Sequence, residues 1–154
     1  MKKIIFLGVL ILLFVGCKSK QATQLDNKTE AAIKGNWTIT SVTFPGSEFI
    51  KVTSFELANS NCFVGSTWKF VSNNNKGEMV LNATGCPSFS SPITWFINKE
   101  GNFVMKILNN DKAKKIQEGY VLKVANLIEN SFQLIDNINV GGQWKELTYQ
   151  FIKN

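Results

Sequence analysis

The chain has 154 residues, the length of one domain that can close a hydrophobic core of its own. Its basic residues are all lysine, with no arginine and no histidine, and its formal net charge is +6. The usual general base of enzymes is therefore absent, and recognition of guanine or phosphate through arginine is excluded. We expect neither an enzyme nor a nucleic-acid-binding protein, and neither a metal ion nor another cofactor.

The N-terminus has the pattern of a secretory signal. Two lysines precede an apolar run that ends at Gly16 and Cys17. The run is shorter than the roughly 20 apolar residues that a membrane-spanning helix needs. We therefore expect residues 1–16 to be a signal peptide. An ordinary signal peptide or a single anchor helix, with the cysteine there by chance, is the alternative.

This ending resembles the lipobox of bacterial lipoproteins, in which the cysteine thiol is acylated and the signal is cut just before it. The resemblance implies that the mature chain begins at Cys17 and that lipid on this residue anchors it to a membrane. It also implies a place in the cell envelope, at the outer membrane. Residues 17–24 are short and polar, so we expect them to form a flexible tether.

Eight runs rich in β-branched and aromatic residues follow a short helical segment at residues 25–34. The predicted strands are Asn36–Phe44, Ser66–Ser72, Gly77–Ala83, Ile93–Asn98, Asn102–Leu108, Gly119–Asn126, Ser131–Asp136 and Trp144–Ile152. Turn residues separate most of them, and apolar residues alternate with polar ones, as in a sheet curled around an interior. The prediction is an all-β domain over residues 25–154, a single antiparallel up-and-down β-barrel of about eight strands.

Two connections are long. Residues 45–65 contain Cys62, and we expect a helical turn near Ser54–Asn59. Residues 109–118 are charged and predict a loop or a short helix.

If Cys17 carries lipid, Cys62 and Cys86 remain as a pair, and an oxidising compartment favours a disulfide between them. A metal or redox pair is the alternative, but no histidine and no C-x-x-C motif supports it.

Gly35 and Trp37, with Asn36 between them, match the G-x-W signature that opens the first strand of lipocalins. The domain resembles the lipocalin-like lipoproteins of Gram-negative bacteria, which implies an eight-stranded barrel with Trp37 at one end. Lipocalins pack a late arginine across this tryptophan. Here we expect the aliphatic stem of Lys145 or Lys153 in its place.

The resemblance and the apolar interior predict that the barrel binds a small apolar or amphipathic ligand, such as a fatty acid. The candidates for lining the pocket are Phe70, Met79, Leu81, Trp95, Phe103, Met105, Leu122, Leu134 and Tyr149. An eight-stranded barrel is just wide enough to hold one small ligand or to fill with side chains. The alternative is therefore an envelope interaction or structural lipoprotein with a filled barrel and no small-molecule ligand.

Overall fold

The computed structural model describes residues 27–46, 49–109, 111–117 and 119–154. The predicted signal peptide, Cys17 and the tether lie outside these residues. Within the described ranges, no helix is both long enough and apolar enough to cross a membrane.

Eight antiparallel strands close into a barrel, which confirms the fold class expected from the sequence. A short hairpin lies between the first and second of them, so the described residues form ten strands: β1 Gly35–Thr43, β2 Thr53–Ser54, β3 Ala58–Asn59, β4 Thr67–Val71, β5 Lys76–Leu81, β6 Phe89–Ile97, β7 Asn102–Ile107, β8 Tyr120–Ile128, β9 Ser131–Val140 and β10 Gln143–Lys153. Strands β4 to β10 pair in chain order, and β1 closes the barrel between β10 and β4. This is the up-and-down architecture that lipocalins use.

The alternation of side chains along the strands produces one core inside the barrel. Trp95 on β6 is fully buried, whereas its neighbour Phe96 faces outward and is 45% exposed. On β7, Phe103 and Met105 are buried and Val104 between them is not. Because successive residues of a strand point to opposite faces, each strand contributes every second residue to the core.

Two strands extend four residues beyond a predicted end. β6 begins at Phe89 rather than Ile93, and β9 continues to Val140 rather than ending at Asp136. β9 pairs with β10 along its whole length. Asn137 and Asn139, a residue type that disfavours strands, therefore stay in β9 because each pairs with a residue of β10. Pairing with a neighbouring strand therefore overrides weak local propensity at both places.

The connection after β1 contains a hairpin and not the expected helical turn at Ser54–Asn59. Strands β2 and β3 pair with each other, and Phe55 and Glu56 reverse the chain with φ angles of 51° and 54°. A single 3-10 turn, Ser60–Phe63, follows. We call residues 53–59 the mouth hairpin. It forms because the Phe55 side chain is buried inside the barrel, which a surface helical turn would not permit.

One end of the barrel is closed by the helix at residues 27–33. The Trp37 indole Nε1 donates a hydrogen bond to the Ile33 carbonyl at 2.7 Å, and Glu30 Oε1 accepts one from the Ile97 amide at 2.9 Å. Lys153 Nζ lies 5.4 Å from the centroid of the Trp37 ring, so this lysine takes the place expected for it. Lys145 lies on the β9–β10 ribbon, opposite Ile138.

The backbone conformation at the first position of the G-x-W signature explains why a glycine stands there. Gly35 has a φ of +136°, a backbone conformation that residues with a side chain rarely adopt, and a Cβ there would lie 3.3 Å from Lys153 Cε. A side chain at this position would therefore disturb both the start of β1 and the lysine that lies on Trp37.

Candidate functional site

Stacked aromatic rings fill the half of the barrel next to the closed end. Phe132 stacks on Phe151 with ring centroids 4.5 Å apart, and Trp95 stacks on Phe103 at 5.5 Å. Phe70 contacts both pairs, at 5.2 Å from Trp95 and 6.2 Å from Phe151. Because these rings contact each other directly, this half of the barrel is a packed core.

The structure places all nine residues predicted to line a pocket in the hydrophobic core of the barrel. They share one hydrophobic cluster, and each is at most 2% exposed: Phe70, Met79, Leu81, Trp95, Phe103, Met105, Leu122, Leu134 and Tyr149. That any of them contacts a ligand stays a prediction. The cavities described below are lined by other residues.

The opposite end, which we call the mouth, is occupied by the ring of Phe55. This ring stacks on Tyr149 with centroids 5.3 Å apart and meets the edges of Phe63 at 5.2 Å and Tyr120 at 5.0 Å. A bulky residue with positive φ is a conformational outlier, so the fold holds Phe55 in an unfavourable backbone state. The aromatic surroundings of its ring compensate for that cost.

Two tyrosines of the barrel wall hold the mouth hairpin. The Tyr149 hydroxyl donates to Ser54 Oγ at 2.6 Å, and the Tyr120 hydroxyl donates to the Phe55 carbonyl at 2.9 Å. Burial raises the pKa of Tyr149, the hydrogen bond with Ser54 lowers it, and the nearby Asp136 raises it further. The phenol is therefore protonated at neutral pH and available as a donor.

The predicted disulfide between Cys62 and Cys86 is present, with Cα atoms 5.7 Å apart. Cys62 lies in the 3-10 turn after the mouth hairpin, and Cys86 lies in the connection between β5 and β6. The bond therefore links the segment that carries the hairpin to the rim of the barrel.

A cavity of about 230 Å³ lies at the mouth, between the hairpin and the rim formed by β6, β7 and β8. Its lining is mostly apolar: Phe55, Glu56, Leu57, Phe89, Ile107, Asn109, Ile116 and Tyr120. It is slightly smaller than the roughly 300 Å³ at which ligand pockets usually begin. Phe55 both lines this cavity and stacks on Tyr149 of the core, so its ring lies between the cavity and the core.

A larger depression of about 430 Å³ lies among β5, β6 and the residues after β7. Lys76 and Lys112 are among its lining residues, and none of the lining residues is aromatic. Ligand pockets combine apolar and aromatic side chains with a few convergent polar groups. The mouth cavity fits that description better and is the candidate site.

One carboxylate, Asp136, faces the barrel interior near the mouth. Burial raises its pKa, and a hydrogen bond from the Asn137 backbone partly offsets this effect. An acid with a raised pKa in the folded state lowers stability as it ionises. The cost grows as the pH rises from the unfolded-state pKa to the higher folded-state pKa, and it is fully present above the folded-state pKa.

Sequence reasoning misses two residues of this site. Phe55 lies in a connection where no strand alternation was visible. Asp136 is the last residue of a predicted strand, and its spacing from Phe132 and Leu134 is a signal that it faces inward. In the described part of the chain, no group of acidic or cysteine side chains is arranged to hold a metal ion.

Comparison with solved structures found bovine odorant-binding proteins. The chain is similar to one in complex with a selenium-containing odorant, with a TM-score of 0.46 and 13% identity over 81% of this chain and 72% of that one. A deswapped triple mutant of bovine odorant-binding protein gives a TM-score of 0.42 and 16% identity over 80% and 74%. The bovine protein with its natural ligand gives 0.43 and 15% over 80% and 72%. No family model and no curated protein matches the sequence.

Proposed function

We propose that this protein binds a small apolar or amphipathic molecule at the mouth of its barrel, without catalysis. The observation that supports this proposal is the cavity beside Phe55, because a single side chain separates it from the aromatic core. The cavity alone would hold a compact ligand. Outward movement of the Phe55 ring would enlarge it toward Tyr149.

The mouth hairpin is suited to such a movement. Its strands have two residues each, and Phe55 and Glu56 both have positive φ. A ligand that displaced the Phe55 ring would relieve an unfavourable backbone conformation. Its apolar body would replace the ring against Tyr149, and each buried CH₂ would contribute about 0.8 kcal/mol before the costs of association.

Filling the mouth cavity is expected to weaken ligand binding. Ile107 lines the cavity, so the substitution Ile107→Trp should weaken binding of a naphthalene-based fluorescent probe by at least about tenfold. The matched control is Ile128→Trp, because Ile128 is 60% exposed and lies at the end of β8 away from the mouth. Titration of the probe against both variants and the unsubstituted protein is the measurement. Absence of saturable binding, or an equal loss in both variants, would contradict the proposal.

We also propose that the protein is a lipoprotein of the cell envelope, attached to the outer membrane through lipid on Cys17. The charged and then apolar segment before Gly16 and Cys17 supports this assignment. The described chain begins at the closed end of the barrel, where residues 27–33 contact Trp37. A tether that joins the domain at this end leaves the mouth accessible.

Replacing Cys17 with serine is expected to move the protein from the membrane fraction to the soluble extracytoplasmic fraction, because the acylated thiol is lost. Fractionation of cells that express either form is the measurement, and intact mass of the unsubstituted protein should show the added lipid. An unmodified mature chain purified from the native host would rule the anchor out.

A second candidate function is an interaction lipoprotein with a filled barrel. Its support is a row of outward-facing apolar residues on adjacent strands, in which Phe96 pairs with Val104 and Val104 pairs with Val121. Phe96 is 45% exposed and Val121 is 56% exposed. Adjacent apolar residues on a surface are typical of contact sites for other proteins. Failure of the probe titration would favour this second function.

A further inference from the structure

The direction of the Asp136 side chain follows from the strand register. β9 pairs with β10 without interruption, with Leu134 opposite Tyr149 and Asp136 opposite Leu147. Leu134 is 2% exposed and lies in the core. Asp136 is two residues further along the same strand and therefore faces the same side, toward the barrel interior. Its neighbours on that face of the two strands include the buried Leu134, Leu147 and Tyr149 and the partly buried Lys145.

No cation of the described chain forms an ion pair with this carboxylate. The single ion pair found among the described residues joins Lys115 to Asp111, with Nζ and Oδ1 3.8 Å apart. Lys145 lies diagonally across the β9–β10 ribbon from Asp136 and forms no ion pair with it. An ionised carboxylate partly removed from water and lacking a basic partner lowers stability. A bound cation would compensate for that loss.

The neighbouring aromatic groups would accept the rest of a cationic ligand. Tyr149 is the diagonal neighbour of Asp136 across β9 and β10, and its ring already stacks on Phe55. The edge of Tyr120 bounds the same space. Electron-rich faces of aromatic rings attract cations, and they also pack against apolar or aromatic bodies. The mouth thus places the Asp136 carboxylate beside a space that already accommodates an aromatic ring. A second acid, Glu56, lines the mouth cavity and is exposed.

We infer that Asp136 binds the positively charged group of the ligand, so the preferred ligand is a compact organic amine with an aromatic or other apolar body. This inference rests on the proposed ligand site at the mouth. The ammonium would contact the Asp136 carboxylate, and the body would lie against Tyr149 in place of Phe55. An anionic ligand such as a fatty acid would meet Asp136 as a like charge and would bind more weakly than a neutral one.

Three probes of similar shape and different charge test this inference: 2-phenylethylammonium, 2-phenylethanol and 3-phenylpropanoate. Binding to the purified protein is followed by NMR chemical-shift changes at pH 7 and low salt. We expect the amine to bind at least about tenfold more tightly than the alcohol, and the carboxylate to bind most weakly. Asp136→Asn should reduce the affinity for the amine to that for the alcohol. The matched control Glu146→Gln, at an exposed acid on β10, should leave the preference unchanged.

The possible results separate this inference from the proposed function. If the alcohol and the amine bind equally, or if Asp136→Asn keeps the amine preference, the inference is overturned and the ligand site remains. If none of the three probes binds, the proposed site is overturned together with the inference. Because the comparison of the three probes uses the unsubstituted protein, it decides the matter even where a variant fails to fold.

Discussion

Replacing Phe132 with alanine is expected to lower the free energy of unfolding by about 3–5 kcal/mol. The ring is fully buried, stacks on Phe151 at 4.5 Å and meets the edge of Trp37 at 4.7 Å. Its removal leaves a cavity between rings that belong to different strands, which the backbone ladder cannot close. Urea unfolding followed by tryptophan fluorescence measures the loss.

The control for this substitution is Phe49→Ala, which removes the same atoms from a side chain that is 87% exposed. A surface substitution of this kind usually changes stability by less than about 0.5 kcal/mol. If the two variants lost similar amounts of stability, the interior of the barrel would not be the packed aromatic core described above. A loss at Phe132 alone would show that filling the closed half with rings stabilises the fold.

This filled half explains why the sequence predicts the barrel better than it predicts the site. Alternation along single strands is a local signal, so it indicates that residues such as Phe103 and Met105 face inward. Whether inward residues line a cavity or contact each other depends on distances between rings from different strands. Phe70 contacts Trp95 on β6 and Phe151 on β10, and neither contact is visible in the sequence.

The mouth was the least predictable part for a related physical reason. Ser54–Asn59 has no alternation and no glycine turn, so the local pattern suggested a helical turn. The hairpin exists because Phe55 is buried among Tyr149, Phe63 and Tyr120, and such tertiary contacts override local preference. The same contacts hold Phe55 in its unfavourable backbone conformation, with positive φ, at the candidate site.

Asp136 shows how an error in a predicted strand end makes an inward-facing carboxylate difficult to recognise from the sequence. The residues after it, beginning with Asn137, disfavour strands, so the predicted strand ended at Asp136. β10 pairs with this segment as far as Val140, and this pairing extends β9 beyond the predicted end. The carboxylate therefore belongs to the interior face of a strand and not to a solvated turn, and the inference that its charge influences ligand choice rests on this placement.

Removing the disulfide by the double substitution Cys62→Ala and Cys86→Ala is expected to lower the free energy of unfolding by about 3 kcal/mol. The two cysteines are 24 residues apart, and the bond restricts the unfolded chain between them. Their place in the fold adds a local effect, because the bond joins the segment after the mouth hairpin to the rim of the barrel. Chemical unfolding of the variant and of the oxidised protein measures the first effect.

Hydrogen exchange measures the second effect, because it reports local opening separately from global unfolding. Without the disulfide, amides of residues 53–63 should lose protection before those of β9 and β10, since the mouth hairpin depends on few strand pairs while β9 and β10 pair over ten residue pairs. The control is the unsubstituted protein, in which the bond ties this segment to the rim. A uniform loss of protection over the whole barrel would mean that the disulfide acts only through the unfolded state. Selective opening at the mouth would instead identify the bond as the restraint that keeps Phe55 in the barrel.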